Sequence, residues 1–180
     1  MAPPVLTVAR EELRRELAAD LGRGGYVLRG RMDRYFEKSL VLCRPGLLAR
    51  AAELISDLLP DTCERIAVNG VPASALGTAL SLATGVPLLL GSVEPETGLV
   101  FHGDLHRGAQ VVLLEDVVYT GSRALTGAQE LRSRGAEVQG VLCLLDRDFG
   151  ASRVLAEAGF ALRPLLTESE LLRTAHGAGV

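Results

Sequence analysis

The chain has 180 residues, enough to bury a hydrophobic core as one compact domain. Hydrophobic residues make up 48% of it, charged residues make up 23%, and the formal net charge is -3. This balance argues against general nucleic-acid binding, which requires a basic face. Aromatic residues are only 4%, with no tryptophan, so aromatic platforms that stack single-stranded nucleic acid are not expected either.

Membrane and export signals are not predicted. The longest apolar runs, such as 86–90 and 111–114, have the length of a strand rather than of a membrane span. The beginning of the sequence lacks a basic segment followed by an apolar one, so no secretory signal is predicted. The three cysteines lie far apart in the sequence and suggest buried thiols rather than a disulfide framework. We therefore expect a cytoplasmic protein.

The first quarter of the sequence predicts two helices separated by extended segments. Thr7 is suited to cap a first helix, which the glycine-rich run 22–25 stops. Residues 26–42 then read as two short extended segments broken at Gly30. A second helix is predicted after Pro45.

From there the sequence alternates between strands and helices. The predicted strands are 65–68, 86–90, 111–115, 138–145 and 160–166, with an irregular or hairpin segment at 91–110. The predicted helices are 74–83, 122–134, 151–158 and a last one that Thr167 and Glu170 would begin as a capping box. This alternation predicts an α/β fold, in which a mostly parallel twisted sheet is covered by helices on both faces. In such sheets ligands bind beyond the carboxyl ends of the strands.

The segment 111–123, VVLLEDVVYTGSR, carries the strongest chemical signal. An apolar strand delivers the carboxylates of Glu115 and Asp116 to its carboxyl end, and a short loop then opens a helix. Backbone N–H groups at the start of that helix, with the hydroxyls of Thr120 and Ser122, suit a phosphate, and Gly121 permits close approach. Carboxylates that accept from a diol, beside donors for a phosphate, predict a ribose 5-phosphate site. The alternative is an acidic pair that only ends a strand and caps a helix.

This segment resembles the ribose-phosphate signature of type I phosphoribosyltransferases, which use 5-phosphoribosyl 1-pyrophosphate (PRPP). The family pattern is an apolar run, two acidic residues and a loop rich in threonine and glycine. The resemblance implies that Glu115 and Asp116 are the catalytic carboxylates and hold the ribose hydroxyls. It implies a ribose-phosphate site made of Glu115, Asp116, Val117, Val118, Tyr119, Thr120, Gly121, Ser122 and Arg123, of which 119–123 wrap the 5-phosphate.

Two residues of the motif depart from the family pattern. Tyr119 stands where the family usually has a small residue, and Arg123 stands where it usually has serine or threonine. Arg123 would either add a charged contact to the phosphate or only cover the surface of the helix. The sequence leaves both possibilities open.

Three further segments resemble orotate phosphoribosyltransferases. The run Asn69, Gly70, Val71 and Pro72 resembles that family's pyrophosphate loop, although it also suits an ordinary turn between a strand and a helix.

Residues 26–31, followed by Tyr35 and Phe36, resemble the N-terminal base-binding segment, with Arg29 near a commonly basic position. Residues 144–147 resemble a late strand end whose arginine, here Arg147, contacts a carboxylate-bearing pyrimidine. An ion pair of Arg147 with Asp146 or Asp148 is the alternative.

One family feature is missing. In orotate phosphoribosyltransferases the strand that matches 86–90 runs into an Arg-Lys-x-x-Lys cluster and a mobile lid. Here 91–98 has no lysine or arginine and contains Glu94 and Glu96. Three interpretations remain open. Another cation replaces the cluster, such as Arg107, Arg31 or one from a partner subunit; the donor or acceptor differs from PRPP and orotate; or the protein binds ribose phosphates without transferring them.

The resemblance implies an Mg²⁺-dependent enzyme of pyrimidine biosynthesis that moves ribose 5-phosphate from PRPP to a pyrimidine-like or small acidic base. It also implies a homodimer, with small molecules rather than nucleic acid or membrane as partners. No side-chain metal ligands are predicted. The expected organisation is one domain with an N-terminal base-site or hood segment, an α/β core, and a C-terminal helix and tail, at about 1–42, 43–166 and 167–180. The alternative is a PRPP- or nucleotide-binding protein that has lost the basic lid.

Overall fold

The structure of the protein is a computed structural model that describes residues 8–23, 27–28, 35–36 and 42–177. No helix in these residues is both long and apolar enough to span a membrane. In chain order the elements are α1 (Val8–Arg23), β1 (Val27–Leu28), β2 (Tyr35–Phe36), α2 (Pro45–Ser56), β3 (Arg65–Asn69), α3 (Val71–Thr84), β4 (Leu88–Glu94), β5 (Gly98–His102), β6 (Gln110–Val118), α4 (Ser122–Ser133), β7 (Glu137–Asp146), α5 (Ala151–Glu157), β8 (Leu162–Thr167) and α6 (Glu168–Gly177).

The main sheet has six strands in the order β5-β4-β3-β6-β7-β8. All neighbouring strands run parallel except β4 and β5, which form an antiparallel hairpin at one edge. Strands β1 and β2 pair with each other, also antiparallel, outside this sheet. The predicted α/β fold with a mostly parallel sheet is confirmed.

Helices pack on both faces of the sheet, as predicted. One core cluster joins the sheet to α1, α2 and α3, and contains fully buried leucines such as Leu17, Leu76 and Leu114. The other joins the opposite face to α4 and α5, and includes Leu113, Leu131 and Phe160. Leu113 and Leu114 are neighbours on β6 and point to opposite faces, so this strand is apolar on both sides.

Several predicted boundaries differ, and each difference has a local cause. Strand β4 runs on to Glu94 rather than ending at Leu90, because its backbone pairs with β5 from Leu90–His102 to Glu94–Gly98. Helix α3 begins at Val71 instead of Ser74, with a proline in its first turn. Strand β8 begins only at Leu162, since the Phe160 N–H donates to the Leu155 carbonyl at the end of α5.

The topology places one edge of the sheet in position for a ligand. Strand β3 lies between β4 and β6 and is parallel to both, so the chain leaves the middle of the sheet in opposite directions after β3 and after β6. The carboxyl ends of these two strands are therefore adjacent, with the loops that open α3 and α4 above them. This is the switch point at which open parallel sheets bind ligands.

The capping box predicted for the last helix is present. The Thr167 N–H donates to Glu170 Oε2 at 2.7 Å, and the Glu170 N–H donates to Thr167 Oγ1 at 3.2 Å. Arg14 of α1 donates to Glu170 Oε1 at 2.7 Å, which ties α6 to α1. Burial alone would raise the pKa of Glu170, but the hydrogen bonds from Arg14 and from the Thr167 backbone outweigh it and the pKa is lowered.

Glu170→Gln is expected to lower the free energy of unfolding by up to about 1 kcal/mol at pH 7, because the amide loses the ionic part of both contacts. A carboxyl with a lowered folded pKa contributes stability above its unfolded pKa and loses it as pH falls through the folded value. The deficit of the variant should therefore shrink as pH falls below the ordinary value of 4.5. Urea unfolding of both proteins at pH 7 and near pH 3 measures this. An equal deficit at both pH values would show that shape, not charge, matters.

Candidate active site

Glu115 and Asp116 lie on β6 at the switch point and are almost completely buried, with 1% and 0% exposure. The sequence placed them at the carboxyl end of the strand, which was wrong, because the ladder to β7 continues through Val117–Leu145 and Val118–Asp146. Two buried carboxylates side by side are unfavourable unless a cation or hydrogen-bond donors accompany them. The cation is supplied within the same motif.

Arg123, in the first turn of α4, bridges the acidic pair. Its Nη2 atom lies 2.5 Å from Glu115 Oε2 and 3.1 Å from Asp116 Oδ1. Burial alone would lower the pKa of Arg123, but the hydrogen bond and charge of Glu115, with those of Asp116, raise it instead. The side chain remains 48% exposed. Arg123 thus does more than cover the helix surface, because it bridges the acidic pair and lines the pocket beside the loop. Its contact with a phosphate stays a prediction.

The loop between β6 and α4 forms one wall of a pocket of about 240 Å³. Gly121 has φ 82° and precedes the first helical residue, and its carbonyl accepts from the Leu125 N–H at 2.8 Å. Thr120 Oγ1 and Ser122 Oγ lie 2.7 Å apart. The structure thus gathers nearly all of the predicted ribose-phosphate residues around one cavity, lined by Glu115, Val117, Val118, Tyr119, Thr120, Gly121, Ser122, Arg123 and Ala124.

Gly121→Ala is expected to destabilise the protein and distort this loop. A Cβ atom at this left-handed φ is strained, and it would also lie 3.2–3.3 Å from the backbone and Cβ of Ala151, the first residue of α5. We expect a loss of about 1–3 kcal/mol in the free energy of unfolding and weaker binding of ribose 5-phosphate. Thermal unfolding and calorimetry measure the two effects. Gly150→Ala, at a similar φ of 86° but with open space around it, separates backbone strain from the contact with Ala151.

The segment Asn69–Pro72 faces the same edge of the sheet. Gly70 has φ 93° and ψ 165°, an extended left-handed geometry available mainly to glycine, and α3 begins directly after it. A Cβ atom placed on Gly70 would lie 3.9 Å from Arg123 Nη1. The Arg123 guanidinium therefore lies between the acidic pair and the Gly70 loop.

Arg147 is held beneath the pocket wall. Its side chain is 3% exposed, Nη2 pairs with Glu168 Oε1 at 2.9 Å, and Nη1 donates to the Tyr119 hydroxyl at 2.8 Å. The guanidinium lies 4.8 Å from the centre of the Tyr119 ring, which in turn stacks on Phe149 at 6.1 Å. The sequence placed Arg147 against a base or in an ion pair with Asp146 or Asp148. In the structure it pairs with Glu168 at the start of α6, a partner that the sequence did not suggest, and its contact with a base stays a prediction.

The remaining base-site predictions fall at the limit of what the structure describes. Arg29 and Arg31 lie outside the described residues. Tyr35 and Phe36 are seen as the backbone of β2, opposite Leu28 and Val27. Their role in binding a base stays a prediction.

The hairpin β4–β5 stands where the family has its basic lid. Its side chains interact among themselves: Ser92 Oγ lies 2.8 Å from His102 Nε2, and Thr97 donates to Glu94 at 3.0 Å. Arg107 does not supply the missing cation. It precedes the amino end of β6 and packs against Gly135, where a Cβ atom would lie only 3.1 Å from Arg107 Cγ. The long strand separates it from the acidic pair, so the suggestion of Arg107 was wrong.

Comparisons with known proteins agree with this geometry, although no family model matches the chain. An orotate phosphoribosyltransferase of Nocardioides sp. is 35% identical over 168 residues, which cover 86% of this chain and 92% of that protein. The structure of orotate phosphoribosyltransferase from Aeropyrum pernix superposes with a TM-score of 0.80 at 25% identity, covering 91% of this chain and 99% of that one. The Mycobacterium tuberculosis enzyme in complex with PRPP gives 0.74 at 26%, covering 88% and 98%.

The relatedness extends over most of both chains. The resemblance drawn from the motifs is therefore confirmed. The chain belongs to the orotate phosphoribosyltransferase family of type I phosphoribosyltransferases.

Proposed function

We propose that this protein is a phosphoribosyltransferase that transfers ribose 5-phosphate from PRPP to a pyrimidine-like or other small acidic base, with orotate the first candidate. The observation that carries the proposal is the pocket at the carboxyl edge of β6. Its lining includes Glu115 and a glycine loop at the start of a helix, and Asp116 is buried directly beside Glu115. Those are the acceptors that a ribose diol needs and the donors that a phosphate needs.

Each part of the pocket has a role in this proposal. Glu115 and Asp116 accept hydrogen bonds from the ribose 2- and 3-hydroxyls. The N–H groups and hydroxyls of 119–123 bind the 5-phosphate, and Asn69–Pro72 approaches the pyrophosphate. The C1–O bond breaks with its electron pair leaving on pyrophosphate, a base nitrogen forms the new bond to C1, and any proton on that nitrogen passes to water. Positioning and stabilisation of the leaving charge supply most of the rate enhancement.

Mg²⁺ fits the residues present. Glu115 and Asp116 offer the hard oxygen atoms that this ion prefers, and Mg²⁺ is commonly bound by one or two carboxylates together with substrate phosphates. The ion would supply positive charge to the pyrophosphate as that group leaves. The acidic pair and the oxygens of PRPP would hold it.

The contacts among Arg147, Tyr119 and Phe149 support a role for Arg147 in positioning the base through Tyr119. Arg147 donates to the Tyr119 hydroxyl, Tyr119 lines the pocket, and the exposed Phe149 ring stacks on Tyr119. An acidic base bound beside Tyr119 would be attracted by the positive charge of Arg147, with Tyr119 lying between the two groups. Arg29, Tyr35 and Phe36 complete the proposed base site. A homodimer, a cytoplasmic location and a place in pyrimidine biosynthesis belong to the same proposal.

The second candidate is a protein that binds PRPP or a nucleotide without transferring it. The acidic, cation-free hairpin favours it, because a pyrophosphate leaving group would meet Glu94 and Glu96. Similarity over nearly the whole length of orotate phosphoribosyltransferases favours the enzyme.

Release of pyrophosphate from PRPP and Mg²⁺, first with orotate and then with a panel of other bases, tests the proposal. We expect release with one acidic or pyrimidine-like base. The same preparation carrying Glu115→Gln and Asp116→Asn controls for contaminating activity. Binding of PRPP without release for any base would support the second candidate.

A further inference from the structure

Besides Mg²⁺, the leaving group of the proposed reaction requires a protein cation that the hairpin does not provide. Pyrophosphate leaves with several negative charges, and in a site screened from water these need a nearby positive group. The only charged side chains in residues 91–98 are the carboxylates of Glu94 and Glu96. Among the described residues that line the pocket or form the Asn69–Pro72 loop, Arg123 carries the one positive side chain.

Arg123 lies between the acidic pair and the pyrophosphate loop, within reach of both. Its Nη2 atom contacts Glu115 Oε2 and Asp116 Oδ1, the carboxylates assigned to the ribose diol. Its Nη1 atom faces Gly70, at the start of the segment assigned to the pyrophosphate. One guanidinium therefore spans the boundary between the two halves of a PRPP molecule.

A bound ribose would compete with Arg123. The diol hydroxyls donate to the same acidic pair that now accepts from the guanidinium, so the two donors share acceptor atoms. Arg123 is 48% exposed, hence it can move without unpacking the core. Arg123 Nη1 would lie 3.9 Å from a Cβ atom on Gly70, and glycine has no such atom. The guanidinium therefore has room to move toward the pyrophosphate loop. The planar fork of a guanidinium matches phosphate oxygens well.

We propose that Arg123 is a mobile counter-ion, which neutralises the acidic pair in the empty site and moves onto the pyrophosphate of PRPP when the ribose binds. The proposal rests on the proposed function. It joins two departures from the family pattern: a cation stands in the motif where a hydroxyl is usual, and the lid has no cations. The positive charge for the leaving group would come from α4 of the same chain instead of from the hairpin.

Arg123→Ser, which restores the usual family residue type, tests this with two ligands. Ribose 5-phosphate has the diol and the 5-phosphate but no pyrophosphate, so its affinity should stay unchanged or rise several-fold as competition disappears. PRPP should bind at least about tenfold more weakly relative to ribose 5-phosphate, the lower end expected for lost charge-assisted hydrogen bonds. The transfer rate should fall by roughly 10²–10³-fold. Calorimetry with Mg²⁺ and pyrophosphate release measure these changes.

Arg123→Lys guards against a folding defect, because it keeps the charge beside the buried carboxylates. It should retain part of the preference for PRPP but lose the two-pronged contact. Arg153→Ser, which removes an exposed arginine paired with Glu157 on α5, is the matched control and should change neither affinity. If Arg123→Ser binds PRPP as tightly relative to ribose 5-phosphate as the parent does, or more tightly, Arg123 only blocks the site and the proposal is wrong. The affinity ratio decides this even if no base supports transfer, the result that would overturn the proposed function instead.

Discussion

Replacing Glu115 with Gln and Asp116 with Asn is expected to abolish binding of ribose 5-phosphate and PRPP while the chain stays folded. The amides keep the shape of the side chains but lose the charges that strengthen hydrogen bonds from the ribose hydroxyls. Two charge-assisted hydrogen bonds correspond to a loss of more than about a hundredfold in affinity. Calorimetric titration of both ligands in the presence of Mg²⁺ measures it.

The fold should survive because the counter-ion of the pair is not locked in the core. Arg123 is 48% exposed and can return to water when the carboxylates are neutral. The matched control neutralises the exposed carboxylates of Glu137 and Glu157, away from the pocket, and should leave both affinities unchanged. Unchanged affinity in the Glu115 and Asp116 variant, with an intact unfolding transition, would remove the acidic pair from the site.

Most of the fold could be predicted because its signals are local and repeat along the chain. Buried parallel strands are apolar on both faces, so residues such as Leu113 and Leu114 mark β6 from the sequence alone. Capping chemistry is equally local, as the Thr167–Glu170 box shows. The end of β4 was not predictable in the same way. It depends on pairing with β5, and the sequence of one strand alone does not predict how far its hydrogen bonds to a neighbouring strand extend.

The candidate site shows the same division. The meeting of the Gly70 loop with the 115–123 motif follows from topology, because the carboxyl ends of parallel neighbours share an edge. The direction of Arg123 does not, since a long side chain chooses among several partners only once the fold has placed them. A signal was present in the spacing, however: an arginine in the first turn of a helix that follows a buried acidic pair is near enough to neutralise it.

Arg147 illustrates what a motif cannot reveal. Its match to the family pattern was visible in the sequence, but Glu168, its ion-pair partner, lies 21 residues later on another element. The loop after β7, which carries Arg147, and helix α6, which begins at Glu168, come together only because β7 pairs with β8. A family role carried over by position therefore needs the neighbours of the side chain, which here are Glu168 and the Tyr119 hydroxyl.

Glu168→Gln is expected to cost about 3 kcal/mol in the free energy of unfolding, the other large effect predicted for this protein. Arg147 and Glu168 have side-chain exposures of 3% and 13%, so their ion pair is held largely away from water. Breaking a buried pair by neutralising one partner leaves the desolvation cost of the remaining charge, which typically amounts to about 3–5 kcal/mol. The hydrogen bond to Tyr119 persists and places the value at the lower end. Urea unfolding at pH 7 measures the change.

Two further variants determine what the ion pair contributes. Arg153→Gln breaks the exposed pair with Glu157 and should cost less than about 1 kcal/mol, because water already solvates both charges. Arg147→Met combined with Glu168→Leu should recover much of the stability lost in Glu168→Gln, since apolar side chains of similar size need no counter-ion. The double variant should nevertheless weaken base binding, because Tyr119 loses the donor that holds its hydroxyl. A stable double variant with unchanged base affinity would mean that the Arg147–Glu168 pair serves the fold alone.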